Sequence, residues 1–197
     1  IKLMATGGVM TPGVDPEDAH YTEEELETGV NEGHRFKRKC ASHAQGAAGI
    51  LNAVRAGIDS IEHGIFLNHE CIETMLEKKT FLVPTLSAVN NIFINKDNGI
   101  PDFIVEKTLR IRERHHKSIK MFYEAGGKIA MGTDAGTPFN VHGENLQELK
   151  FMNDLGISNK DTLKISTMNG ADLMGLSDRG KIREGYFADM LVVNGNP

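Results

Sequence analysis

The strongest constraint on the fold is the repeated alternation of short apolar runs with segments of helical spacing. Apolar runs end at residues 4, 43, 63, 86 and 134. After the second run, Ala47, Ile50, Leu51 and Val54 recur at the spacing of one helical face. Strands separated by helices indicate parallel βαβ units. The sequence therefore predicts an α/β fold with about five parallel strands before the tail.

Local signals set the bounds of the predicted elements. Strands are predicted at residues 1–4, 40–43, 58–63, 81–86 and 129–134. Thr22 and Glu25 match a capping box, and Tyr21 with Leu26 matches a hydrophobic staple, so a helix is predicted to begin at Thr22 after a loop over residues 5–21. Further helices are predicted at residues 47–57, 69–78 and 103–125, around 146–152, and at 163–173.

The tail differs from the rest of the chain. From residue 180 onward, short apolar pieces such as 190–193 alternate with turn residues, a pattern typical of an antiparallel sheet. We therefore divide the chain into residues 1–176 and residues 177–197. A closed barrel of eight parallel strands needs roughly 250 residues. A chain of 197 residues thus fits either a doubly wound sheet or a barrel without its first strands.

Composition narrows the classes of function. The net charge is −5 and no basic cluster stands out, which argues against a nucleic-acid partner. The two cysteines, Cys40 and Cys71, lie far apart and are expected to be buried free thiols. Neither a transmembrane stretch nor a signal peptide is recognisable, so no membrane association and a cytoplasmic location are expected.

Three polar residues stand where predicted strands end. His43, His63 and Asp134 each follow an apolar run, and in a parallel barrel those ends open on one face. Two histidines and a carboxylate form a plausible site for zinc, iron or manganese. A single histidine at a strand end is more often a structural residue. Glycines on both sides of Asp134 are more specific, because they allow a sharp turn and close backbone approach.

Five motifs in order resemble one enzyme family. They are IKLMATGGV at residues 1–9, ASHAQG at 41–46, SIEHG at 60–64, GTDAG at 132–136 and GKIREGYFAD at 180–189. Together they resemble the imidazolonepropionase-like and Xaa-Pro dipeptidase-like branch of the amidohydrolase superfamily. The resemblance covers the whole chain. It implies a partial (β/α)₈ barrel, strands four to eight, that runs into a small β-sandwich remnant.

The resemblance also implies a set of site residues. Lys2 matches a lysine that is carboxylated and bridges two metals, while His43 and His63 match the ligands of one metal. Asp134 matches a ligand of the other metal and the general acid and base. His142 matches a substrate-binding histidine, although a plain loop residue fits equally well. The implied cofactor is a divalent metal, zinc first, as one or two ions that activate a hydroxide.

The resemblance implies hydrolysis of an amide bond in a small substrate, with a dipeptide or an N-acyl amino acid favoured. A mononuclear cyclic-amide hydrolase like imidazolonepropionase, or an inactive fragment, are the alternatives. The family's strand-one His-x-His is absent, since none of the eight histidines stands two positions from another. We therefore expect an oligomer or a missing N-terminal half, and an inactive isolated chain. His115 and His116 are expected on a helix surface, and His20, His34 and His69 as surface or capping residues.

Overall fold

A four-stranded parallel sheet organises the chain in the computed structural model, which describes residues 1–195. The strands are β1 (Lys2–Met4), β2 (Ala41–Ala44), β3 (Ser60–His63) and β4 (Phe81–Val83), and they lie side by side in chain order. Parallel neighbours require a crossover, and the helices over residues 23–35, 47–55 and 69–78 supply one between each pair. The sheet confirms the predicted α/β class.

Eight α-helices are described. They are α1 (Glu23–Arg35), α2 (Ala47–Arg55), α3 (His69–Lys78), α4 (Leu86–Ile94), α5 (Asp102–Glu124), α6 (Gln147–Asp154), α7 (Asn159–Lys164) and α8 (Gly170–Leu173). A π-helical turn, Ile165–Asn169, joins α7 to α8. Most of these helices match predicted ones. The last predicted helix, over residues 163–173, corresponds to α7, the π-helical turn and α8, and so begins earlier, at Asn159. Among the described helices, none is both long and apolar enough to cross a bilayer.

The N-terminus of α1 shows how local chemistry sets an element. The Thr22 hydroxyl accepts the backbone N–H of Glu25, and the Glu25 carboxylate accepts the backbone N–H of Thr22. This reciprocal pair satisfies two donors that the first turn leaves unpaired. Leu26 and Val30 then turn inward and are buried. The predicted helix start is therefore confirmed, while Tyr21 is 46% exposed.

Two segments differ from prediction around the last strands. We predicted a strand over residues 81–86, but β4 ends at Val83 and a buried helix, α4, follows from Leu86. We also predicted a strand over residues 129–134. The structure records a single parallel bridge there, between Leu82 and Ile129. The short apolar run at 81–86 does not by itself distinguish a strand from the start of a buried helix, which explains the first error.

The two faces of the sheet have different surroundings. Leu3, Ile61 and Leu82 alternate onto the face that packs against the helices, where the largest apolar cluster lies. The opposite face carries Phe81 and Val83 in a smaller cluster. At β1 this second face is open, because Met4 is 48% exposed. His43, which pairs in register with Met4, lies on this second face.

The loop between β1 and α1 is fixed by α5. The Lys107 ammonium donates to the carbonyls of Thr11 at 2.8 Å and Val14 at 2.6 Å, and Arg110 pairs with both oxygens of Asp15 at 2.8 Å. Bidentate pairs of this kind fix orientation as well as distance. The loop is thereby held beside the carboxyl ends of the strands.

The tail forms no strand in its described part, up to residue 195. The antiparallel pairing predicted there is therefore not seen, and residues 196–197 lie outside the described residues. Leu191 and Val192 are exposed. An isolated pair of short strands is only marginally stable without further strands to pack on, so the sequence pattern alone was not sufficient.

Candidate metal centre

His43 and His63 meet at the carboxyl end of the sheet. Their ring centroids lie 4.6 Å apart with the planes at 69°, an edge-to-face contact. His43 lies within β2 and His63 ends β3, so the shared strand direction brings both side chains to the same end. Both are buried, at 7% and 6% exposed. These two adjacent, buried imidazoles form the core of the candidate site.

Three non-glycine residues around this point have left-handed backbones. The φ angles are 75° at His63, 52° at Thr85 and 53° at Asp134. Such conformations cost of order 1–3 kcal/mol each and persist where the surrounding structure enforces them, often at functional sites. Thr85 is the most unusual of the three, because a β-branched side chain disfavours positive φ most. The backbone therefore has positive φ angles at three neighbouring turns, those that contain His63, Thr85 and Asp134.

The hydrogen bonds of Thr85 define the tautomer of His63. The Thr85 hydroxyl donates its hydrogen to the Pro84 carbonyl at 2.7 Å. With its hydrogen assigned to that carbonyl, which can only accept, the hydroxyl is left to accept from Nδ1–H of His63, at 2.6 Å. With the hydrogen on Nδ1, the Nε2 lone pair of His63 is free. A metal-binding histidine usually donates its other ring N–H to an oxygen acceptor in this way.

His43 has the complementary arrangement. Its Nε2 lies 3.0 Å from the Gly7 carbonyl oxygen, which can only accept, so Nε2 carries the hydrogen. The Nδ1 lone pair of His43 is therefore free. Gly7 belongs to the loop fixed by α5, and its own N–H donates to the Asp18 carbonyl at 3.1 Å. Each imidazole thus offers one unprotonated nitrogen, as metal coordination requires.

Burial keeps both rings neutral. It lowers the pKa of His63 well below the usual value, and the nearby His43, His115 and Lys2 lower it further. Burial also lowers the pKa of His43, reinforced by Lys2 and opposed by the Gly7 carbonyl and Asp134. A neutral imidazole is the form that binds a metal ion. The two neutral histidines therefore have the protonation state that a metal ligand needs, and Asp134 lines the same cavity. Among the described residues, the ligand atoms of these three side chains do not all lie within 4.8 Å of one another.

Asp134 lies in a tight turn that faces the histidines. The Asn140 amide donates to the carbonyls of Thr133 at 2.7 Å and Asp134 at 3.0 Å, which fixes the turn. Gly132 allows close approach, since a Cβ there would collide with Val83. Asp134 itself is exposed. The turn chemistry predicted from the flanking glycines thus has a structural counterpart.

One cavity of about 140 Å³ collects these side chains. His43, His63 and Asp134 all line it, so the structure places the three strand-end residues together. Gln45 also lines it, is 4% exposed, and has no hydrogen-bond partner for Oε1 among the described residues. The remaining wall is mostly apolar and consists of Met4, Gly8, Val9, Met10, Thr11, Ala88, Val89, Ile92 and Thr137.

Lys2 and His142 lie outside the lining of this cavity. Lys2 is exposed on the open face of β1, two register positions below the level of His43. His142 is exposed on the loop before α6, with Nε2 3.6 Å from the position of a Cβ at Gly136. Glu62, which sequence analysis did not single out, pairs in register with His43, and burial raises the pKa of its carboxyl. The surroundings of the cavity therefore include three further ionisable groups.

His115 corrects a prediction. We expected it on the helix surface, but it is 0% exposed and its Nε2 donates to the His63 carbonyl at 3.0 Å. Burial lowers the pKa of His115 to about 4, so the ring is neutral. His116, also predicted on the surface, is half-buried and lies 3.2 Å from the Asn90 amide oxygen. The position of His115 four residues after the buried Ile111 was the available signal, because that spacing places both on one helix face.

A second cluster of potential ligands lies at the opposite end of the sheet. His34, Cys40 and Asp59 bring their ligand atoms within 4.8 Å of one another. Asp59 already accepts from His34, Lys39 and the Cys40 N–H, each at 2.8 Å. Burial raises the pKa of the Cys40 thiol, which disfavours the thiolate that a metal requires. An ion-pair network accounts for this cluster, and Cys40 and Cys71 are buried free thiols as predicted.

The family assignment follows from the whole chain. The model of the amidohydrolase family matches residues 1–197, so the chain belongs to that family. The parallel sheet and the strand-end residues described above lie within this match.

Sequence relatives and solved structures are similar to this chain over all or nearly all of its length. Ochratoxinase of Aspergillus niger is 32% identical over 200 residues, which cover all of this chain and 41% of that protein. A Xaa-Pro dipeptidase structure with bound methionine in its active site superposes with a TM-score of 0.91 at 35% identity, over 100% of this chain and 48% of the other. A prolidase complexed with N-methylphosphonate-L-proline gives 0.89 at 26% identity, over 98% and 47%. The chain thus spans less than half the length of these relatives.

Proposed function

We propose that the protein is a metal-dependent amidohydrolase that cleaves the amide bond of a small substrate. The observation that carries this proposal is the contact between His43 and His63 in a cavity that Asp134 also lines, where hydrogen bonds to Gly7 and Thr85 engage one nitrogen of each ring and leave His43 Nδ1 and His63 Nε2 for a metal. A divalent ion, zinc first, is the ligand that such a donor set suits. Amide hydrolysis also agrees with family membership.

The metal and the protein have separate tasks in this proposal. When bound, the ion supplies a Lewis acid for the amide carbonyl and lowers the pKa of water. His43 and His63 hold it through neutral imidazoles, whose orientations are fixed by Gly7 and Thr85. Asp134 takes the proton from water and passes it to the leaving nitrogen, which a carboxylate at an exposed turn is free to do. Lys2, on the open face of β1, is proposed as the further, carboxylated ligand.

The cavity wall favours substrates with an apolar side chain next to the amide. Val89 and Ile92 of α4 and Val9 of the β1–α1 loop form an apolar side facing the histidines. Gln45 and His142 are proposed to bind polar groups of the substrate. A dipeptide or an N-acyl amino acid combines these features, and the printed descriptions of the relatives name a dipeptidase, a prolidase and ochratoxinase.

We further propose that the sheet is part of a (β/α)₈ barrel, strands four to eight, within residues 1–176, followed by a sandwich remnant in 177–197. The high superposition scores, which cover 48% and 47% of the two prolidase-like chains, support this. In that arrangement the open face of β1 is the side that the preceding strands would cover, and an oligomer or an N-terminal half would supply the cover.

A mononuclear cyclic-amide hydrolase is the second candidate. It is favoured by one observation, because Lys2 does not line the cavity that holds His43, His63 and Asp134. Such a site would hold one metal rather than two. The other alternative, an inactive fragment, predicts that no added metal produces turnover.

A substrate panel tests these alternatives. The protein would be incubated with zinc and with three groups of substrates: dipeptides including Xaa-Pro, N-acyl amino acids, and cyclic amides such as imidazolones. Turnover of the first two groups supports the proposal, and turnover confined to cyclic amides supports the second candidate. Bound zinc without turnover of any amide would support the inactive-fragment alternative and contradict amide hydrolysis by this chain.

A further inference from the structure

Glu148 is an ionisable residue with no role in the chemistry above, and it is completely buried. It lies near the start of α6, is 0% exposed, and points at the N-terminus of α4. Its two carboxylate oxygens accept the backbone N–H of Leu86 at 2.8 Å and of Ser87 at 2.7 Å. The second oxygen also accepts the Ser87 hydroxyl at 2.7 Å.

These contacts replace the N-cap of α4. The N-terminal residue preceding α4 is Thr85, which makes no side-chain cap of its own. Its hydroxyl is instead shared between the Pro84 carbonyl and His63 Nδ1. The first N–H groups of α4 would therefore lack partners without Glu148. A carboxylate from a different element, 61–62 residues further along the chain, supplies them.

We propose that Glu148 is a positioning residue that fixes His63 through Thr85 and the start of α4. Three contacts in sequence connect Glu148 to His63. Glu148 holds Leu86 and Ser87, their backbone fixes the left-handed Thr85, and Thr85 fixes the tautomer and direction of His63. The same residue connects this end of the site to α6, which follows the Asp134 turn.

The cost of burying Glu148 supports a specific role. Burial raises the pKa of its carboxyl to about 7, against the hydrogen bonds from Ser87 and Leu86 that lower it. An uncharged cap would avoid this cost, since serine or asparagine caps most helices. A carboxylate accepts three hydrogen bonds here, which gives the start of α4 a more rigid anchor.

The test compares four variants and one control variant with wild type. Glu148→Ala removes all three acceptor contacts, and Glu148→Gln keeps the Leu86 contact but places an NH₂ group opposite the Ser87 N–H. Thr85→Val removes the hydroxyl and keeps the shape, while Thr85→Ser keeps the hydroxyl. Glu73→Gln on the exposed side of α3 is the matched control. Circular dichroism and thermal melting show whether each variant is folded.

The first readout is ¹⁵N NMR of the histidine rings without metal. Wild type should show the Nδ1–H tautomer for His63, and Thr85→Val and Glu148→Ala should shift it toward a mixture. Glu148→Gln should give a smaller shift, and Thr85→Ser and Glu73→Gln should match wild type. Unchanged His63 signals in folded Glu148→Gln and Glu148→Ala would overturn the proposal. If Glu148→Ala does not fold, Glu148→Gln decides it.

The second readout is zinc affinity, which rests on the proposed role of His63 as a ligand. Loss of a residue that orients a metal ligand typically weakens binding roughly 10–100-fold. We expect a loss in that range for Glu148→Ala and Thr85→Val and about tenfold for Glu148→Gln. Zinc that fails to bind wild type, while the His63 signals respond as above, would contradict the proposed function and leave the positioning role standing. Equal affinity in wild type and both Glu148 variants would overturn the positioning role.

Discussion

The His43 ring contacts the His63 ring edge to face, with centroids 4.6 Å apart. In each ring, one nitrogen is hydrogen-bonded to the protein and the other is left for a metal. Gly7 occupies Nε2 of His43 and Thr85 occupies Nδ1 of His63. The two remaining nitrogens are the proposed metal ligands. The ends of β2 and β3, the β1–α1 loop and the start of α4 therefore meet at these two histidines.

Removal of either imidazole should weaken metal binding. His43→Ala or His63→Ala takes one of the four proposed ligands (Lys2, His43, His63 and Asp134) from the site, and tight zinc usually needs three or four. We expect more than roughly tenfold weaker zinc binding for each variant, measured by competition with a fluorescent chelator. His69→Ala, at an exposed position that begins α3, is the matched control and should bind as wild type does. Wild-type affinity in both His43→Ala and His63→Ala would place the metal elsewhere.

Asp134→Asn should separate binding from turnover. Asparagine retains an oxygen for the metal but cannot transfer a proton, so most of the metal should remain while kcat falls roughly 10²–10⁴-fold. Zinc content by elemental analysis and initial rates on the substrate panel provide the two measurements. Asp154→Asn, exposed at the end of α6, is the control. An Asp134→Asn variant within about tenfold of wild type would remove Asp134 from the acid–base role.

Gln45→Leu should affect substrate binding more than chemistry. Its amide oxygen lacks a partner among the described residues and lines the cavity, so a substrate N–H is the expected donor. One hydrogen bond is worth about 1 kcal/mol, which corresponds to a rise in KM of roughly fivefold to tenfold. Gln45→Glu keeps an acceptor and should show a smaller rise. A fall in kcat with KM unchanged would argue for a different role.

His115 should contribute a pH-dependent part of stability. Its folded pKa of about 4 lies below the unfolded value of 6.5, so the unfolded state takes up the proton first as the pH falls. The contribution is fully present above pH 6.5 and is lost as the pH falls toward 4, by about 3 kcal/mol. Urea unfolding of His115→Gln should show a shallower pH dependence across this window. His69→Gln should keep the wild-type slope, and an equally steep slope in His115→Gln would contradict the assignment.

Much of this arrangement could be predicted from local pattern. The polar residues after apolar runs identified His43, His63 and Asp134, and the structure places all three around one cavity. The capping box at Thr22 set a helix start correctly because both partners lie within four residues. Such signals depend on near neighbours in sequence, which is where pattern analysis is strongest.

The supporting residues could not be predicted in the same way. Glu148 contacts α4 across 61–62 residues, and His115 contacts His63 across 52 residues. Neither contact can be recognised from a pattern of neighbouring residues. Helix α4 was not predicted, and its first residue, Leu86, was included in the strand predicted over residues 81–86, because the apolar residues continue from β4. The predicted tail strands need partners that the described residues do not provide. Long-range packing therefore decided each of these points.

The central claim is that the metal binds between His43 and His63 and not at the His34, Cys40 and Asp59 cluster. X-ray absorption at the zinc edge of the zinc-loaded protein separates the two, because only the second contains sulfur. We predict nitrogen and oxygen neighbours at about 2.0–2.1 Å with imidazole scattering, unchanged in Cys40→Ser and lost in a His43→Ala, His63→Ala double variant. A sulfur neighbour at about 2.3 Å that disappears in Cys40→Ser would contradict the claim.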